Sequence, residues 1–215
     1  MTNILVTAAF ASAHNKLLDA GREEERHFLL STLTTAFDEV EKRQPGADRA
    51  RWVNNRIDQD VERNFTNNPG SQQVSCKKGC SSCCRILVHV TSDEADLLAE
   101  KVAAEGIPVD IETLRRQATY GGEEDWVNRP NAETSCIFLS NLGTCKIYND
   151  RPSACRKYFV VSPAIDCDKE GNFAGSVLVW SVPEAEAVAC ATLNLSTETD
   201  SLPKMLLKRL MPANT

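Results

Sequence analysis

Residues 75–90 read SCKKGCSSCCRILVHV, and four cysteines in that run, Cys76, Cys80, Cys83 and Cys84, limit what the chain can fold into. Sulfur at this density forms a disulfide framework, a reactive thiol site or a metal site. The chain holds nine cysteines, an odd number, and they are clustered rather than spread as staples. Full pairing would strand one thiol. In a reducing compartment a cysteine cluster signals metal or catalysis instead.

The four positions fall at i, i+4, i+7 and i+8. On a helix they would share one face, within about a third of a turn at ~3.6 residues per turn; a tight loop would converge them equally well. Cys83 and Cys84 diverge in direction, so the pair serves two centres or one member is packed and inert. Four ligands from so short a stretch make awkward geometry, which draws attention to a second group, CIFLSNLGTCKIYNDRPSACRKYF, with Cys136, Cys145 and Cys155. CIFL and TCKIY are strand-like arms around Ser140-Asn141-Leu142-Gly143, a hairpin signal that lets Cys136 and Cys145 face each other. Asn149 or Asp150 is placed to cap a short helix with Pro152 in its first turn. Cys155 would then sit near backbone donors and Arg156, both favouring its thiolate. Cys167, in AIDCDKE, is an eighth candidate. Cys190, in apolar AVACATL, reads as a small buried hydrophobe.

Charge is distributed to match. The net charge is −6, which argues against general attraction to nucleic acid or anionic membrane. Yet residues 76–92 carry Lys77, Lys78 and Arg85 with no acid, and residues 135–165 carry Lys146, Arg151, Arg156 and Lys157 against Asp150 alone. Each stretch sums to +3, leaving −12 for the remainder. Cations gathered around cysteines lower thiol pKa values and offset an anionic thiolate centre; a solvated basic face is the plainer reading of the same charges.

C-x3-C-x2-C-C, then C-x-F-L, then G-x-C-x-I-Y-x-x-R-P-x-x-C-R resembles the YkgJ-like cysteine-cluster family, described as a zinc- or iron-chelating domain. The matching residues are Cys76, Cys80, Cys83, Cys84, Cys136, Phe138, Leu139, Gly143, Cys145, Ile147, Tyr148, Arg151, Pro152, Cys155 and Arg156. The resemblance spans roughly residues 75–160 and implies metal binding, without defining a reaction. Some flagellin lysine methylases resemble the family in carrying such a cluster, associated with an iron–sulfur centre.

Soft thiolates suit zinc and iron–sulfur clusters alike. Structural zinc usually takes two ligand pairs, whereas three or four cysteines packed together favour a polynuclear iron–sulfur cluster, 4Fe–4S included. An iron–sulfur metalloprotein with a redox or cofactor-activating role is the expectation, and a zinc-stabilised interaction module is the alternative. C-x3-C-x2-C also resembles the triad of radical S-adenosylmethionine enzymes, echoed by Gly121-Gly122-Glu123. No βα repeat supports their barrel. Cys80-Ser81-Ser82-Cys83 has thiol-redox spacing but no βαβ surroundings, and no Gly-rich elbow supports a serine hydrolase. His14 and His27 read as surface or packing residues, and His89 as a strand-face histidine rather than a ligand.

The expected fold is α+β and mostly helical: an N-terminal helical hairpin packed on a small cysteine-rich metal-binding domain. Residues 1–70 are assigned to the hairpin, 71–170 to the cysteine-cluster domain and 171–215 to a C-terminal strand and helix that complete it. Leu29, Leu33, Phe37 and Val40 predict a helix over 15–43, Gln44-Pro45-Gly46 a break, and Val53, Ile57, Val61 and Phe65 a helix over 47–66. Thr91 and Glu94 form a capping-box pattern for a helix to Glu105, and Asp110 caps one through Thr119. Residues 121–135 read as irregular, 173–182 as a strand, and Ser201 as the cap of a helix through Leu210. The hairpin is the surface offered to any protein partner. No apolar run reaches the ~20 residues of a membrane helix. ILVTAAFASA (4–13) lacks the basic residues that precede a secretion signal, so the expected location is cytoplasmic.

Overall fold

Where periodicity predicts one helix over 15–43, the chain forms two. The computed structural model describes residues 4–77, 79–168 and 177–212. Helix α1 spans Ala8–Asp19, its first turn capped by the Thr7 hydroxyl accepting from the Phe10 amide, and α2 spans Glu23–Glu41. Between them Gly21 sits at φ +65°, a left-handed conformation that a glycine adopts at no steric cost and that ends a helix. The stripe of Leu29, Leu33, Phe37 and Val40 lies wholly in α2, and residues 19–27, DAGREEERH, carry no apolar period across the break.

Helix α3 follows at Ala47–Asn67, within a residue of expectation. The Thr91–Glu94 capping box is formed, with both reciprocal hydrogen bonds present, and α4 runs Ser92–Glu105 to a left-handed Gly106. Asp110 accepts from the Glu112 and Thr113 amides to start α5, Ile111–Ala118. Residues 121–135 are more ordered than predicted: α6 (Glu123–Val127) and α7 (Asn131–Thr134) are short helices, and the Trp126 indole donates to the Arg85 carbonyl at 2.8 Å. Then come α8 (Ser153–Arg156), α9 (Pro183–Leu195) and α10 (Leu202–Leu210).

Four short strands complete the described residues. β1 (His89–Thr91) pairs antiparallel with β4 (Thr199–Ser201), His89 opposite Ser201. β2 (Phe159–Val160) pairs with β3 (Val179–Trp180). Only the last part of the strand predicted over 173–182 is seen; its first residues, 173–176, lie outside the described set. The molecule is therefore mostly helical with a few short strands.

Two apolar cores organise these elements. In the first, Leu29, Leu33 and Val40 of α2 and Val53 and Ile57 of α3 close on Ala185, Val188 and Ala191 of α9. Helix α9 is buried nearly all round, as an apolar helix inside a protein must be. In the second, Ala95 and Leu98 of α4, Leu114 of α5, and Met205 and Leu206 of α10 surround Val90, Phe138 and Ile147. The buried Arg49–Asp93 ion pair (2.5 Å) joins the two: Arg49 also donates to the Leu195 carbonyl, and Asp93 accepts from the Gly46 amide. Among the described residues no helix is long and apolar enough to cross a membrane.

Candidate metal centre

The cysteine run is not a helix. Residues 74–77 belong to no helix or strand, Gly79 turns at φ +89°, and Ser82–Arg85 make a single 3-10 turn. Convergence comes from the loop. The Cys80 amide donates to the Lys77 carbonyl (3.0 Å) and the Cys84 amide to that of Ser81 (2.9 Å), coiling the backbone; the Cys83 and Cys84 side chains, predicted to diverge, are hydrogen-bonded to each other. The segment's start is held elsewhere: the Ser75 amide donates to the Val160 carbonyl, and the Val160 amide to Cys76 Sγ at 3.3 Å. β2, which supplies that contact, is fixed on α3 by an edge-to-face pair of Phe65 and Phe159 with centroids 4.8 Å apart.

The second segment meets the first directly. The Cys136 amide donates to the Cys84 carbonyl at 2.7 Å. The expected hairpin is present in its smallest form, a bridge between Leu139 and Cys145 with the Lys146 amide donating to the Phe138 carbonyl. Phe138 is wholly buried, which anchors the arm carrying Cys136. Residues Tyr148–Asp150 form a 3-10 turn, and Pro152 precedes α8, which carries Cys155. The cap of α8 comes from neither Asn149 nor Asp150. Glu94 of α4 accepts from the Ser153 amide through Oε1 (2.7 Å) while its Oε2 closes the capping box on the Thr91 amide. One carboxylate thus fixes both α4 and the loop that carries Cys155.

Cys83 lies where the thiols meet. It hydrogen-bonds Cys84 and stands within electrostatic reach of Cys76, Cys136, Cys145 and Cys155. Cys80 joins through Cys76. Cys167, on the 3-10 turn Ala164–Asp168 that packs against Ser82–Arg85, reaches the group beside Tyr158, which also senses Cys83 and Cys76. All eight sequence candidates therefore occupy one region. Cys190 does not: it is buried in α9, accepting from the Thr7 amide at 3.3 Å, as its apolar context predicts. Among the described residues no cysteine is disulfide-bonded, and no three His, Cys, Asp or Glu side chains stand close enough together to hold an ion as placed.

The electrostatics correct one expectation. The cations beside the cysteines predict lowered thiol pKa values, whereas those of Cys76, Cys83, Cys136, Cys145 and Cys155 are raised. Burial pushes the Cys136 thiol up to about 11, against opposition from the Phe138 and Leu139 amides. It likewise raises Cys76, Cys145 and Cys155, and Cys83 is raised first by its bond to Cys84 and then by burial. Neighbouring thiolates would repel one another. The opposing cation is Arg151, which favours the charged form at Cys83, Cys145 and Cys155; its guanidinium stacks 3.8 Å from the Tyr148 ring centroid. Arg156 is turned away and engaged, pairing with Asp58 at 2.5 Å and donating to the Asn149 and Arg151 carbonyls. His89 is exposed on β1, the strand-face position expected of it.

This donor set suits a soft cation. Cys76, Cys83, Cys136, Cys145 and Cys155, drawn from two segments and disfavoured as free thiolates by burial and mutual repulsion, gain most when a multiply charged cation replaces their protons. Residues 75–175 match the family model described as CxxCxxCC, "Putative zinc- or iron-chelating domain". No curated protein and no solved structure matches the chain.

Proposed function

Residues 75–175 belong to the CxxCxxCC cysteine-cluster family, and from that premise we propose that the chain binds an iron–sulfur cluster through thiolates of both segments, drawn from Cys76, Cys80, Cys83, Cys84, Cys136, Cys145 and Cys155, with Cys167 at the edge. The observation that supports this reading is the 2.7 Å hydrogen bond from the Cys136 amide to the Cys84 carbonyl, which joins the backbone of the early segment to that of the later one at two of the candidate cysteines. Seven thiols exceed what one tetrahedral zinc ion needs, and this surplus favours a polynuclear core. Bound, such a core supplies electron transfer or activation of a second cofactor.

Each protein group has a part in holding it. The exposed Cys76, Cys80 and Cys83 sit on the loop and can rotate to close on a metal. Cys136, Cys145 and Cys155 are held by the second core and α8, and form the fixed wall. Arg151 offsets part of the negative charge that bound thiolates create. The zinc alternative uses the same sulfurs for a closed, structural site.

Anaerobic purification followed by absorption spectroscopy and assay of iron, zinc and acid-labile sulfide separates the two. A brown protein with iron and sulfide in comparable amounts supports the cluster. A colourless protein with stoichiometric zinc overturns it in favour of the structural site.

A further inference from the structure

A cleft of about 310 Å³ opens beside the thiols. Cys83 and Cys155 are among its lining residues, as are the exposed His89 and Thr199, and Ile86, Val88, Ala189 and Leu193 give it aliphatic walls. Its volume is at the lower end of small-molecule sites, which are mostly apolar with a few placed polar groups.

Those polar groups define the occupant. Lys157 donates to both oxygens of the buried Glu186, at 2.9 and 2.8 Å, and the Thr7 hydroxyl donates to the same carboxylate at 2.6 Å. Its charge is balanced, yet an ammonium has three N–H groups. Tyr158 also lines the cleft, and its hydroxyl makes no hydrogen bond to another described residue. Glu94 already receives three hydrogen bonds, from the Thr91 amide, the Thr91 hydroxyl and the Ser153 amide. The cleft therefore has donors to spare and its carboxylates are committed. An anion would face Glu94 and the sulfurs. A cation would lack a carboxylate to receive it.

We propose that this cleft binds a small uncharged aliphatic molecule carrying a carbonyl group, the oxygen accepting from Tyr158 and Lys157 and the chain lying along Ile86, Val88, Ala189 and Leu193. The metal reading enters only in placing the ligand's head beside the centre.

Calorimetric titration of the full chain, as purified anaerobically, with hexanamide, hexanoate and hexylamine tests this, with metal content assayed in parallel. Hexanamide binds saturably at one site, and its two charged counterparts bind at least about tenfold more weakly. Ala189→Leu, which fills the cleft from α9, abolishes binding and leaves metal content unchanged; if that variant does not fold, Leu193→Trp replaces it. Tyr158→Phe weakens binding about fivefold, as loss of one hydrogen bond should. Absence of hexanamide binding, preference for the acid or the amine, or unchanged binding with the cleft filled overturns the proposal. A preparation without metal contradicts the metal reading alone, because the same titrations then decide the cleft on the metal-free chain.

Discussion

Burial holds the Cys136 thiol at about 11, above the ordinary 9.0, and the consequence can be worked out for the metal-free chain. Between those values the unfolded chain loses its proton while the folded one keeps it. The contribution to stability is therefore full below pH 9 and lost as pH rises through about 11. The urea midpoint of metal-free protein should fall steeply over that window, and less steeply in Cys136→Ser. Metal reverses the preference, since loading replaces protons, so uptake should release protons into weakly buffered solution and weaken as pH falls. Cys190→Ser separates packing from ligation: it places a more polar hydroxyl in the first core, costing about 1–3 kcal/mol, yet metal content should stay at the wild-type value. Loss of metal in that variant would count against confining the centre to the two segments.

Among the elements, α4 and α8 are joined by a single side chain. Glu94→Gln keeps one acceptor oxygen where two are used, so either the Thr91 or the Ser153 amide loses its partner. A cost of about 1–3 kcal/mol follows, together with faster release of metal to a chelator, because Cys155 rides on the loop that Glu94 holds. Retention of wild-type release kinetics would show that α8 is fixed by other contacts. This pair also marks how far sequence reasoning reached. The capping box is local, spanning three residues, and could be read from Thr91 and Glu94 alone. The bond from Ser153 to Glu94 spans 59 residues and leaves no local trace, so Asn149 and Asp150 were the caps that sequence suggested. The cysteine hairpin was legible from its turn residues. Helix α9 was not, because AVACATL is apolar on every side and gives no helical stripe to count.

Over the whole molecule, the two cores assign different tasks to substitutions of similar size. Ile57 lies in the first core and Phe138 in the second, both with no exposed surface. Ile57→Ala should cost about 2–5 kcal/mol and leave the metal-to-protein ratio intact at temperatures where the fold persists. Phe138→Ala should cost about 3–5 kcal/mol and also lower that ratio, because Cys136 is two residues away and packs, with Cys145, against the same cluster. Denaturation curves alongside metal analysis after gel filtration distinguish the two. The central claim is that thiolates from both segments hold one metal centre. Its most direct test is metal and sulfide content of anaerobically purified wild type beside Cys76→Ser, Cys136→Ser and Cys155→Ser. Loss of most of the metal in at least one variant from each segment is the predicted result; full occupancy in both Cys136→Ser and Cys155→Ser would contradict it.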